Sequence, residues 1–107
     1  TSRMVMKKVN QNYMNHITLG SIAEELNYSL PHLSKKFKEE TGQGFEEYLQ
    51  GVRMEHACRL LANTNKKMNE VAELTGYGDV HFFNRVFRKK MNQSPGEFRK
   101  MIKIAEN

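Results

Sequence analysis

The 107-residue chain carries 17 Lys and Arg against 12 Asp and Glu, a formal net charge of +5, with 38% hydrophobic residues and a single cysteine. That length holds one domain, or two small units sharing a linker, and the apolar fraction supports a modest core. A lone cysteine excludes an internal disulfide framework and fits a reducing compartment such as the cytoplasm; no apolar run is long enough to span a bilayer, and the basic excess favours an anionic partner.

Apolar residues recur at i, i+3, i+4 and i+7 without sustained period-2 alternation, so the chain is expected to be all-α. The punctuation predicts seven helices, roughly 3–13, 19–26, 30–41, 45–62, 69–75, 80–90 and 95–105. Met4 and Met6 lie on the first helix and Met14 beside it; these, like all seven methionines, are expected to fill core gaps. Thr18 precedes the second helix. Ser29 is a fitting N-cap for the third, with Pro31 in its first turn and Gly42 beyond its end.

The fourth segment, "FEEYLQGVRMEHACRLLAN", reads as a long linker helix. Its apolar positions divide into two stripes, Phe45, Leu49, Val52 and Leu60 on one side and Met54, Ala57 and Leu61 on another, as a helix wedged between two small cores requires. "NTNKK" follows, then the fifth and sixth helices, and Ser94 with Glu97 forms a capping box at the start of the seventh. The expected organisation is a first helix-turn-helix subdomain over 1–44, the linker helix over 45–62 and a second helix-turn-helix subdomain over 63–107.

An internal repeat supports that division. When "SIAEELNYSLPHLSKKFKEETG" (21–42) is laid on "EVAELTGYGDVHFFNRVFRKKMN" (70–92), Ala23 and Tyr28 fall on Ala72 and Tyr77. After a one-residue insertion, Ser29 meets Asp79, Leu30 meets Val80, Leu33 meets Phe83, Phe37 meets Phe87 and Gly42 meets Asn92. Each unit therefore reads as helix, tight turn, helix, with the small alanine where two steeply crossing helices approach.

On a helical wheel Leu30, Leu33 and Phe37 share one side, while Pro31, Ser34, Lys35 and Lys38 share another. In the second unit Val80, Phe83 and Phe87 point inward; His81, Asn84, Arg85 and Arg88 point outward, followed by Lys89 and Lys90. Residues 80–91 contain no acid, whereas 30–41 mix Lys35, Lys36 and Lys38 with Glu39 and Glu40. Adjacent Asn and Arg match adenine and guanine edges in the major groove of double-stranded DNA, and flanking cations neutralise phosphates. The linker, about 27 Å long at 1.5 Å per residue, is comparable to the roughly 34–36 Å between successive major-groove faces.

Two other classes compete. An enzyme would need Cys58 as nucleophile with His16, His32, His56 or His81 as base, but His56 lies about 200° round the helix from Cys58 and no metal-ligand spacing such as H-E-x-x-H occurs. No enzymatic activity, metal or cofactor is expected. A basic helical module that docks an acidic protein or membrane surface would account for the charge but not for the repeat and its matched caps. RNA is a poorer fit, since no sheet offers aromatic platforms for unpaired bases.

The motifs "LS..FK..TG", "F..YL...R...A..LL", "EVAE..GY.D..FF.R.F.K" and "SP.EFR" stand here in an order and spacing that resemble the C-terminal DNA-binding domain of the AraC/XylS family of bacterial transcription regulators, from about Ile17 to Met101. The form "GY.D..FF.RVF.KK" after "NYM..ITL.SIAEELN.S" looks most like the YesN-type two-component response regulators. The resemblance implies base or backbone contact by Leu30, Pro31, Ser34 and Lys35 on the first reading helix and by Val80, His81, Asn84 and Arg85 on the second; Lys38, Arg88 and Lys89 join them by charge and position. It also implies transcription regulation, RNA polymerase as a partner, no membrane, and a regulatory N-terminal domain outside this chain. Two departures stand out: family members often carry Tyr at the positions of His32 and Phe82, and Gly at that of Asn92.

Overall fold

The computed structural model describes residues 1–106, the side chain of Glu106 excepted. Among them are seven helices and no strand: α1 Ser2–Asn12, α2 Leu19–Glu25, α3 Leu30–Thr41, α4 Phe45–Asn63, α5 Met68–Leu74, α6 Val80–Met91 and α7 Pro95–Glu106. The all-α expectation holds, with element ends displaced by about one residue. The chain divides into two compact units, Thr1–Val52 and Arg53–Asn107.

In the first unit Val5 and Val9 of α1, Leu19, Ile22 and Ala23 of α2, Leu33 and Phe37 of α3, and Phe45, Leu49 and Val52 of α4 form one buried cluster. Local signals fix the helix ends. The Thr18 hydroxyl accepts from the Ser21 N–H at 3.1 Å, and the Ser29 hydroxyl from the His32 N–H at 3.3 Å. Between them Asn27 turns at φ 61° and the Tyr28 N–H donates to the Ala23 carbonyl at 2.9 Å. Ala23 is buried against this turn, where a larger side chain would separate α2 from α3. α3 stops at Gly42, whose φ of 81° lies in the left-handed region that a Cβ disfavours. α1 is tied down by the Ser2 N–H donating to Glu40 Oε1 (3.0 Å), a Lys8–Glu25 ion pair (2.9 Å) and Asn10 donating to the Tyr48 hydroxyl (3.2 Å).

The second unit has its own cluster of Met54, Ala57, Leu61, Val71, Ala72, Tyr77, Phe83 and Phe87. Its turn carries positive φ at Gly76 (91°) and again at the inserted Gly78 (76°), and the Tyr77 N–H donates to the Ala72 carbonyl at 2.9 Å, as Tyr28 does to Ala23. The Asp79 carboxylate accepts from the His81 N–H at 2.8 Å, and Asn92 ends α6 at φ 60°. Asn therefore does here what Gly42 does in the first unit. The expected capping box is formed: the Glu97 N–H donates to Ser94 Oγ (3.1 Å) and the Ser94 N–H to Glu97 Oε1 (3.0 Å). At α5 only half of such a box exists, the Lys67 N–H donating to Glu70 Oε1, since lysine has no acceptor to return. Arg99 closes the unit by donating to the Leu61 carbonyl near the end of α4 (3.0 Å) and to the Lys66 carbonyl in the loop that follows (2.8 Å).

The repeat runs further than 42 and 92. Residues 31–48 and 81–98 have the same succession of buried, half-buried and exposed positions. The reason is visible in the rings: Phe37 meets Tyr48 edge-on at 5.7 Å, and fifty residues on Phe87 meets Phe98 edge-on at 5.5 Å. The first turns of α4 and α7 are thus equivalent parts of the two units.

Two expectations need correction. Leu60 belongs with the second cluster, where it is half-buried, and not with Phe45, Leu49 and Val52. The first stripe ends at Val52 because the later turns of α4 lie within the second unit. The methionines are not all core: Met54 is buried and Met6, Met68 and Met91 pack against the clusters, but Met4, Met14 and Met101 are exposed. Met4 lies on α1 about 120° round from the buried Val5 and Val9, and Met14 lies beyond the end of that helix.

Candidate nucleic-acid interface

Ser29 starts α3 and buried Leu33 and Phe37 fix its rotation, which leaves Pro31, Ser34, Lys35 and Lys38 exposed at i, i+3, i+4 and i+7 spacing. Leu30, at 48% exposure, is not a core residue despite its place on the apolar side of the wheel. Leu30 is presented to solvent beside the exposed Pro31. Lys35 and Lys38 form no ion pair among the described residues. At the far end of α3 the Glu40 carboxyl is held below the ordinary carboxylate value by the Ser2 hydroxyl and backbone N–H, so one of the two acids there is engaged by the start of α1.

On α6, Asp79 caps, Phe83 and Phe87 are fully buried, and His81, Asn84, Arg85, Arg88 and Lys89 are all exposed. Val80 differs: it is half-buried against the second cluster, so its methyl groups face the edge of the core. Arg88, Lys89 and Lys90 occupy the last turn, where cations also suit the negative end of the helix dipole. Asn84 and Arg88 line a cleft of about 200 Å³ together with Met68, Val80 and the Ser94–Pro95–Gly96 start of α7. Arg88 also helps hold the Glu97 carboxyl low, after the larger effect of its Ser94 hydrogen bonds. Each of the two surfaces therefore carries donors and cations on a stiff, capped helix.

Sequence reasoning passed over one pair of residues. In the sequence His32 and Phe82 show only as departures from tyrosine, yet both lie exposed beside the expected contact residues, His32 stacked on Tyr28 (5.7 Å) and Phe82 set 6.0 Å from Tyr77. The signal available was their place one residue before the first buried repeat position and five before the second, which together put them on the outward half of the wheel.

No thiol activation is evident at Cys58. Burial and then the nearby Glu55 push its pKa up, opposite to what a nucleophile requires. No helix of the described residues is long and apolar enough to cross a membrane.

Comparison with known proteins gives a consistent picture. A family described as a helix-turn-helix domain matches residues 22–101. The lactose operon transcription activator of Staphylococcus xylosus is 35% identical over 96 residues, covering 90% of this chain and 34% of that protein. Among solved structures, the C-terminal domain of AraT, a response regulator from Geobacillus stearothermophilus, superposes with a TM-score of 0.90 at 36% identity over 94% of this chain and 84% of that one. The C-terminal domain of the two-component response regulator YesN from Fusobacterium nucleatum gives 0.85 at 33% identity, over 91% and 96%. The chain spans about a third of the length of the lactose regulator.

Proposed function

Because this chain belongs to the AraC-type helix-turn-helix family of DNA-binding transcription regulators, we propose that it reads a specific duplex sequence with α3 and α6 in successive major grooves, as the output domain of a response regulator. The observation that carries the reading is the exposed Asn84–Arg85 pair on a helix whose rotation is fixed by fully buried Phe83 and Phe87. Asn and Arg offer the donor and acceptor patterns that adenine and guanine edges complement. Lys35, Lys38, Arg88 and Lys89 supply phosphate neutralisation, and Leu30 and Pro31 supply apolar contact, suited to thymine methyl groups. His81 and Ser34 complete the two sets, and Val80 contributes at the edge of its helix.

The repeat supports two readings per chain. Likeness to the C-terminal domains of the response regulators AraT and YesN supports an input through a further part of the intact protein, and RNA polymerase enters as a partner through the family resemblance alone. The cytoplasm is the compartment this assigns.

Selection of bound duplexes from a random pool, followed by binding measurements at several salt concentrations, tests the proposal. The selected duplex should bind on the order of a thousand-fold more tightly than random DNA. Log affinity should fall linearly with log salt, and protection should appear as two patches roughly one helical turn apart. Equal affinity for selected and random duplexes, or preference for acidic vesicles over DNA, would sink it.

A further inference from the structure

Phe82 is an anomaly on the second reading helix: a large aromatic ring, 37% exposed, on a surface otherwise made of His81, Asn84 and Arg85. The ring is held in place. Tyr77, nearly buried, lies 5.2 Å from Phe83 in the core and 6.0 Å from Phe82, and its backbone is fixed by the hydrogen bond to Ala72 between the positive-φ glycines. On the outer side, the Arg85 guanidinium carbon sits 5.9 Å from the Phe82 ring centroid, within the range at which a cation is attracted to an aromatic face. Phe83, Tyr77, Phe82 and Arg85 therefore form a continuous chain of contacts from core to surface. Arg85 has no carboxylate partner among the described residues that would fix it otherwise. The equivalent chain in the first unit is shorter, for His32 stacks on Tyr28 but Lys35 makes no ring contact among the described residues.

We propose that Phe82 is the positioning residue for Arg85, holding the guanidinium over its ring so that Arg85 meets a base edge already oriented, and that it thereby sets the sequence discrimination of the second reading helix, not its general affinity. This rests on Arg85 being a base-contacting residue. The physical basis is preorganisation: a long flexible side chain that is already restricted loses less freedom when it binds. Phe82 carries no donor or acceptor, so it adds nothing to phosphate contact.

Two measurements on the 107-residue chain test it. In the free protein, ¹⁵N relaxation at Arg85 Nε should show greater mobility in Phe82→Leu than in the parent, and parent-like mobility in Phe82→Tyr, which keeps the ring; unchanged Arg85 mobility in Phe82→Leu overturns the proposal whatever happens with DNA. On DNA, Phe82→Leu should lower the preference for the selected duplex over one altered at the Arg85 position by roughly two- to five-fold. Affinity for random duplex should stay as it was, Phe82→Tyr should restore the preference, and Phe82→Leu should do nothing further in an Arg85→Ala background. Equal losses on selected and random duplexes, or a full additional loss in the Arg85→Ala background, overturn positioning in favour of general folding or direct contact by Phe82 with the base. If Arg85→Ala alone leaves discrimination intact, the base-reading role of Arg85 is what fails, and the relaxation result by itself decides whether Phe82 holds it.

Discussion

Helices α3 and α6 have equal lengths of 12 residues, an oxygen-bearing N-cap, a left-handed stop and two fully buried apolar residues at the same register, yet they present different chemistry. Outward from α3 stand Leu30, Pro31, Ser34 and Lys35, and outward from α6 stand His81, Asn84, Arg85 and Arg88. The first set is short in directional hydrogen-bonding groups, while the second holds a planar guanidinium and a side-chain amide. A duplicated scaffold has therefore kept what folds it and diversified what faces solvent. This is expected when inward positions are constrained by packing and outward ones only by the partner.

The most disruptive way to probe the shared part is to empty it. Phe37→Ala and Phe87→Ala each remove a fully buried ring and should cost about 3–5 kcal/mol, read by urea unfolding. Because the two rings lie in separate clusters, amide exchange should quicken first in the unit that carries the substitution.

The surface difference predicts unlike outcomes for paired positions. Arg85→Ala should lose about 1–3 kcal/mol on the selected duplex with little change on random DNA. Lys35→Ala, at the equivalent place on α3, should weaken both alike and reduce the salt slope by about one. Identical behaviour of the two variants in a fluorescence titration would erase the distinction between the helices.

The left-handed stops offer a smaller contrast. Gly42→Ala, at φ 81°, should destabilise by about 1 kcal/mol. Asn92→Gly, at φ 60°, relieves the same backbone strain and should raise the thermal midpoint slightly.

Alkaline pH separates the units through Tyr77. Burial, the largest cause, pushes its hydroxyl from 10.0 up to about 12, with Arg53 opposing and Cys58 adding. The native state holds it neutral while the unfolded chain ionises. Its contribution is thus complete below pH 10 and is lost as pH rises toward 12. Tyr77→Phe should flatten the fall of stability over that interval in pH-dependent unfolding.

A last contrast concerns the helix starts that follow each stop. Ser94 caps α7, but its equivalent Gly44 brings no side chain to the start of α4, and a Cβ there would meet nothing within 4 Å. Gly44→Ser should stabilise by a few tenths of a kcal/mol, whereas Ser94→Ala should cost about 1 kcal/mol; calorimetry on the pair checks both.

Sequence alone determined the seven helices, the caps at Thr18, Ser29, Asp79 and Ser94, and the outward positions Pro31, Ser34, Lys35 and Lys38 of α3 and His81, Asn84, Arg85 and Arg88 of α6. All of these depend on local hydrogen bonds and on a 3.6-residue period written in neighbouring residues. Tertiary structure decided what depends on which residues meet across the chain. It assigned Leu60 to the second cluster, left Met4, Met14, Leu30 and Met101 in solvent, carried the repeat into the first turns of α4 and α7 through Tyr48 and Phe98, and set Phe82 beside Tyr77. An apolar residue's period gives the direction it points on its own helix, but only the neighbouring helix determines whether anything is there to cover it.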